Sequence, residues 1–159
     1  AKSKEEKTNV MRTLEQKKIP YTAHSYDPEG PIDGVSVAQA LGQPPEQVFK
    51  TLVTKGASGA YYVFDIPVAE NLDLKKAAKA VGEKSVAMLP QKELLPLTGY
   101  VHGGCSPVGM KKQFPTVFHE TAPLYGTICV SAGKIGHQVE CDPNALIALL
   151  RAKTADVIV

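Results

Sequence analysis

The sequence predicts a mixed α+β fold: one domain built around a curved sheet and flanked by helices. Three observations predict it. Runs rich in β-formers recur along the chain. Well-capped helices fall between them. The two kinds of element mix without the strict alternation of a doubly wound parallel sheet. A chain of 159 residues has the size of a single domain, and 43% hydrophobic residues are enough to fill its core. With no Trp and only four Phe and six Tyr, that core must be largely aliphatic.

The elements follow in order. Residues 1–7 are polar and charged and read as a frayed tail ahead of a domain spanning 8–159. A helix is expected from about Thr8 to Lys18, capped by Thr8 or Asn9, with Val10 and Leu14 on one face and Pro20 beyond its end. Tyr21–Tyr26 alternates loosely and reads as a strand, and Asp27–Gly34 is a loop. Val37–Leu41 makes a short helix closed by Gly42, and Pro44-Pro45-Glu46 suits a helix start. Thr51–Lys55 and Ala60–Pro67, joined by Gly56-Ala57-Ser58-Gly59, form a hairpin, so Lys50 opens a strand. Asp73 caps a helix over Leu74–Val81 that Gly82 ends. A strand at Ser85–Leu89 and a helix near Gln91–Leu95 come next. Further strands are expected at Tyr100–His102, Thr116–His119, Thr127–Ser131 and Gln138–Cys141. Asp142-Pro143 opens a last helix running to about Arg151, and Val157–Val159 adds an edge strand.

Composition narrows the function. A net charge of +2 is too weak to argue for nucleic acid by itself, and the lysine clusters at 17–18, 75–79 and 111–112 are ordinary solvated faces. Three cysteines, Cys105, Cys129 and Cys141, without a CxxC spacing argue against a disulfide framework and for a reducing compartment. No apolar run approaches the ~18 residues of a membrane span, and no secretory leader is visible. These features together point to the cytoplasm.

The segment Gly103-Gly104-Cys105-Ser106-Pro107-Val108-Gly109 is the most unusual. Paired glycines let main-chain N–H groups approach a ligand closely, where they can hold a developing oxyanion or a phosphate. Composition alone is met as readily by a structural turn. Lys50, at the mouth of an apolar strand, is either an edge gatekeeper or a fixed charge in a pocket. The histidines at 24, 102, 119 and 137 lack a metal-binding spacing, so no metal is expected. His24 and Tyr26 share a strand face and can line a pocket. Cys105 has no histidine beside it and Ser106 is not in a GxSxG elbow, so neither signals a nucleophile. The run Val130–Gly136 lacks the spacing of a nucleotide phosphate loop.

Taken in order, these segments resemble the YbaK/EbsC family of trans-acting aminoacyl-tRNA deacylases. The resemblance runs from about Val10 to Ile158. It is carried by Lys18-Ile19-Pro20-Tyr21, His24-Ser25-Tyr26, Val48-Phe49-Lys50-Thr51-Leu52 and Leu72–Ala78. Thr98-Gly99-Tyr100, the glycine loop through Lys112, and Val130–Lys134 complete it. It implies the fold of the editing domain inserted in bacterial prolyl-tRNA synthetases, with a partly barrel-like mixed sheet. The Lys-Thr-Leu and Gly-Gly-x-Ser-Pro forms look like the branch that clears cysteine from proline tRNA. The resemblance further implies that Lys50 positions the terminal adenosine and that Gly103 and Gly104 polarise the ester carbonyl with their amides. His24, Tyr26, Ser106, Pro107 and Ser131 are implied as substrate contacts. The reaction implied is substrate-assisted, the cysteine thiol attacking its own ester, with no cofactor and no metal. The implied partners are the acceptor end of cysteine-charged tRNA(Pro) and, transiently, prolyl-tRNA synthetase. Cys105 and Gln138 depart from the usual family residues. Two alternatives stand beside this reading: a deacylase for alanine or serine on tRNA, and a non-catalytic module that binds a nucleotide or an RNA end.

Overall fold

A computed structural model of the protein describes residues 7–159. The tail expected at 1–7 therefore lies, apart from Lys7, outside the described residues. The first helix, α1 (Asn9–Gln16), is capped by Thr8, whose hydroxyl accepts the Met11 N–H at 3.3 Å. Its buried face carries Val10, Met11 and Leu14. The chain then enters β1 (Tyr21–Ser25). Asp33 caps α2 (Gly34–Ala40), so this helix begins earlier than the apolar residues alone suggested. A 3-10 turn at Pro45–Gln47 leads into the hairpin β2 (Phe49–Gly56) and β3 (Tyr61–Pro67).

Asp73 and Gly82 bound α3 (Leu74–Val81) as expected, with Gly82 in the left-handed region at φ 75°. β4 (Val86–Met88) and α4 (Gln91–Thr98) follow. The second half holds β5 (Thr116–His119), β6 (Ile128–Ser131), β7 (His137–Cys141), α5 (Pro143–Leu150, capped by Asp142) and β8 (Lys153–Ala155).

The strands form two sheets. One has the order β1-β7-β6 and is antiparallel throughout. The other has the order β4-β2-β3-β5-β8, with β5 parallel to both its neighbours. They meet where Val48, just before β2, bridges Cys129 of β6. The larger sheet is mixed, as expected, and the two sheets together make the mixed α/β domain.

Alternation decides which face of each sheet is covered. In the smaller sheet, Ile128, Val130, Val139 and Cys141 face the apolar layer contributed by Val10 and Leu14 of α1 and Leu146 of α5. In the larger sheet, Phe64, Ile66 and Val117 pack on Ala77 and Ala78 of α3. Val53 and Val63 meet Met110 and Phe114 from the long loop before β5. Each such aliphatic side chain, fully buried, contributes about 1.5–3 kcal/mol against exposure.

Two expectations are corrected. Tyr100–His102 is not a strand but the start of the irregular segment 99–115. Tyr100 is held inside that loop: its N–H donates to Thr98 Oγ1 at 3.0 Å and its hydroxyl to the Val108 carbonyl at 2.5 Å. The C-terminal edge strand is Lys153–Ala155, paired with β5, rather than Val157–Val159. Ile158 makes only an isolated bridge to Leu72.

Candidate active site

The start of β2, the first turn of α2, the glycine loop and the end of β6 surround a cleft of about 360 Å³. Lys50 and Thr51 line it from β2, Gly103 and Cys105 from the loop, and Ser131 and Gln138 from the smaller sheet. The lysine and the glycine loop thus share one hollow.

Lys50 is half-buried, opposite Ile66 in the hairpin register. Its pKa is lowered, first by loss of hydration, while the Glu70 carboxylate pulls the other way and favours the ammonium. A partly desolvated cation acts on a nearby phosphate or ester oxygen more strongly than a hydrated one.

Gly103 lies on the cleft wall with φ 89°, and a Cβ there would stand 2.8 Å from Ile32 Cδ1. A Cβ on Gly104 would stand 3.1 Å from the Ile135 backbone nitrogen. At Gly104 the loop therefore packs main chain against main chain, closer than a side chain ordinarily tolerates. The two glycines play different parts. The Gly104 N–H closes a turn onto the Val101 carbonyl at 3.0 Å and is already engaged. Of the two glycines expected to present amides to the substrate, Gly103 is the wall residue and Gly104 lies behind it.

The other expected contacts divide in the same way. Tyr26 and Ser131 line the cleft. Ser131 Oγ accepts the Gly133 N–H at 3.1 Å, which fixes the turn after β6. Ser106 is fully buried and its Oγ accepts the Val108 N–H at 3.2 Å. Ser106 and the buried Pro107 stiffen the loop from behind and are not on the cleft wall. His24 is not on the wall either: its Nε2 lies 2.7 Å from Glu140 Oε1, on the far side of Gln138.

Sequence reasoning missed three features. Gln138 pairs amide to amide with Gln43, at 2.7 and 3.2 Å, buttressing the wall. Those two residues stand 95 positions apart, so no spacing announced them. His102 and His137 also line the cleft. Asp65 lies behind Thr51, whose hydroxyl donates to its Oδ1 at 2.5 Å. Its Oδ2 has no hydrogen-bond partner among the described residues. Burial pushes its pKa up to about 7 against the opposing Thr51 bond. A lone acid in the otherwise uncharged run Tyr61–Pro67 was the available signal.

Cys105 is the one thiol on the wall, and burial, aided by the Asp65 carboxylate, pushes its pKa up to about 12. At neutral pH it is a protonated thiol and a poor nucleophile. The cleft therefore offers a cation and the exposed main chain of Gly103, and its one thiol is not activated.

The family model of the aminoacyl-tRNA editing domain matches residues 33–149. The chain belongs to that family. The matched span holds Lys50, the glycine loop, Ser131 and Gln138 of the editing-domain cleft. The editing domain is 47% identical over 157 residues to EbsC of Enterococcus faecalis, named as a candidate Cys-tRNA(Pro)/Cys-tRNA(Cys) deacylase. That match covers 98% of this chain and 96% of the relative. Among solved structures, one described as a candidate trans-editing enzyme for prolyl-tRNA synthetase superposes with a TM-score of 0.80 at 27% identity. The superposition covers 94% of each chain. The hypothetical protein APE2540 shares the fold, with a TM-score of 0.86 at 21% identity over 94% of this chain and 99% of its own.

Proposed function

We propose that this editing domain hydrolyses the ester of cysteine mischarged onto tRNA(Pro), with the substrate's own thiol as the nucleophile. The observation that carries the reading is the cleft itself. It brings Lys50 and Gly103 together around a hollow whose only thiol is held protonated. The name of the Enterococcus faecalis relative supports cysteine as the amino acid. That name covers both proline and cysteine tRNA, which suits a cleft that reads the amino acid rather than the tRNA body.

The chemistry balances without a protein nucleophile. The sulfur of the bound cysteine attacks its own ester carbonyl and closes a four-membered thiolactone. The bond to the ribose oxygen breaks, and that oxygen recovers a proton as the terminal hydroxyl of the tRNA. Water then opens the thiolactone to free cysteine. The protein need only fold the aminoacyl group into the reactive pose and stabilise negative charge on the carbonyl oxygen. Lys50 supplies charge for the oxyanion or the adjoining adenosine, and the Gly103 main chain lets the ester approach. Ser131 and Tyr26 bound the hollow around the amino-acid side chain.

A cytoplasmic setting and transient help from prolyl-tRNA synthetase belong to the same proposal. No helix among the described residues is long and apolar enough to cross a membrane. The net charge of +2 suits contact with the acceptor end rather than with the whole tRNA.

The experiment is a panel of tRNA(Pro) charged with cysteine, serine or alanine. Cysteine should be released quickly and serine, which differs from it only at the thiol, slowly. Equal release of serine and cysteine would remove the thiol from the mechanism and favour the broader deacylase. Tight binding of a non-hydrolysable aminoacyl-adenosine with no release from any charged tRNA would favour the non-catalytic module.

A further inference from the structure

We propose that His24, Cys129 and Glu140 form a binding site for a single Zn²⁺ ion, separate from the editing cleft. Their donor atoms, an imidazole nitrogen, a thiol sulfur and a carboxylate oxygen, all lie within 4.8 Å of one another. Sheet register brings them together. Cys129 is the direct partner of Glu140 across β6 and β7, and His24 stands diagonally across from Glu140 on β1. All three project from the face of the smaller sheet opposite Val130, Val139 and Cys141, which pack into the core.

The donor set selects the ion. Thiolate, imidazole and carboxylate together suit Zn²⁺ and disfavour Mg²⁺ and Ca²⁺. Tetrahedral zinc with ordinary bond lengths needs its ligand atoms about 3.3–3.6 Å apart. His24 Nε2 and Glu140 Oε1 now share a hydrogen bond at 2.7 Å and must part by about 0.6 Å, while donor atoms as far as 4.8 Å apart must close by about an ångström, both within reach of side-chain rotation. The support around the ligands is already in place. Thr127 Oγ1 donates to Glu140 Oε2 at 2.5 Å, which anchors that carboxylate and leaves Oε1 for the metal.

On binding, the Cys129 thiol releases its proton to solvent, His24 coordinates as neutral imidazole and Glu140 as carboxylate. The side chains of His24 and Glu140 are 27% and 31% exposed, so the fourth position opens to water. Ser131 and Gln138 of the cleft wall lie two residues along β6 and β7 on the same face. The proposal does not depend on the deacylase reading.

Titration of the metal-free full chain with Co²⁺, followed by competition with Zn²⁺ against a chromophoric chelator, tests it. One equivalent of Co²⁺ should give tetrahedral visible bands and a thiolate-to-cobalt charge-transfer band. Cys129→Ser should abolish the charge-transfer band, whereas Cys105→Ser and Cys141→Ser should keep it. His24→Gln and Glu140→Gln change partly exposed positions and keep the fold testable. Each should weaken Zn²⁺ by at least about tenfold while leaving the thiolate band obtainable at higher metal. Saturation without a charge-transfer band, survival of that band in Cys129→Ser, or unchanged Zn²⁺ affinity in both His24→Gln and Glu140→Gln would each overturn the site.

Discussion

The Thr51 hydroxyl reaches from the cleft wall to a carboxyl that solvent does not touch: it donates to Asp65 Oδ1 at 2.5 Å. Asp65 therefore couples the cleft to the folded state's proton balance. Its pKa of about 7 when folded stands against 3.8 for an unperturbed group. Between these values the native state keeps a proton that the unfolded chain has released. Stability should fall as pH rises from about 4 to about 7, by on the order of 4 kcal/mol in all, and level off above. Asp65→Asn removes the titration and should flatten that slope, giving its largest gain over the parent near pH 8. Urea unfolding at pH 5 and pH 8 checks both. An equal slope in the two proteins would move the effect to another group.

Gly103→Ala should damage the site more than the fold. The substitution strains a side chain at φ 89° and pushes it onto the Cδ1 end of Ile32, so the loop conformation and the Ile32 side chain both change on the cleft wall they share. The conformational strain is about 1–2 kcal/mol. A shift of an ångström in the reacting geometry costs on the order of 100-fold in rate. Gly59→Ala is the control: it has a similar φ of 93°, with open space around it in the hairpin turn away from the cleft. It should lose comparable stability and keep its activity. Melting temperatures and single-turnover release, measured side by side, separate the two effects.

Cys105→Ala should leave deacylation within a few-fold of the parent. The thiol is buried, protonated at neutral pH, and packed beside Val53 and Met110. Its loss removes a small apolar contact worth roughly 1 kcal/mol of stability. Release of cysteine from tRNA(Pro) is the measurement, and a fall of more than 100-fold would make Cys105 the nucleophile after all.

What the sequence made legible were the features written locally. Asp73 and Gly82 bounded α3 to the residue, because a side-chain cap and a left-handed closing residue act within one turn. The hairpin and Lys50 at its mouth followed from β-formers on either side of a glycine turn. The illegible features arise from register. Gln43 meets Gln138, and His24 meets Glu140, only after strands and loops far apart in sequence have paired. Tyr100–His102 has the composition of a strand, but Tyr100 finds its partner in the Val108 carbonyl within its own loop. Of the paired glycines, only the fold distinguishes the wall residue Gly103 from Gly104, whose amide closes a turn.

Single-turnover hydrolysis of Cys-tRNA(Pro) by Lys50→Ala tests the role of the cleft most directly. Lys50 is half-buried and its side chain makes no hydrogen bond or ion pair among the described residues, so the variant should melt close to the parent. Its rate should fall by about 100- to 1,000-fold, the usual cost of removing one preorganised charge-stabilising group. Cysteine release at the parental rate from a folded Lys50→Ala protein would contradict the assignment of ester cleavage to this cleft.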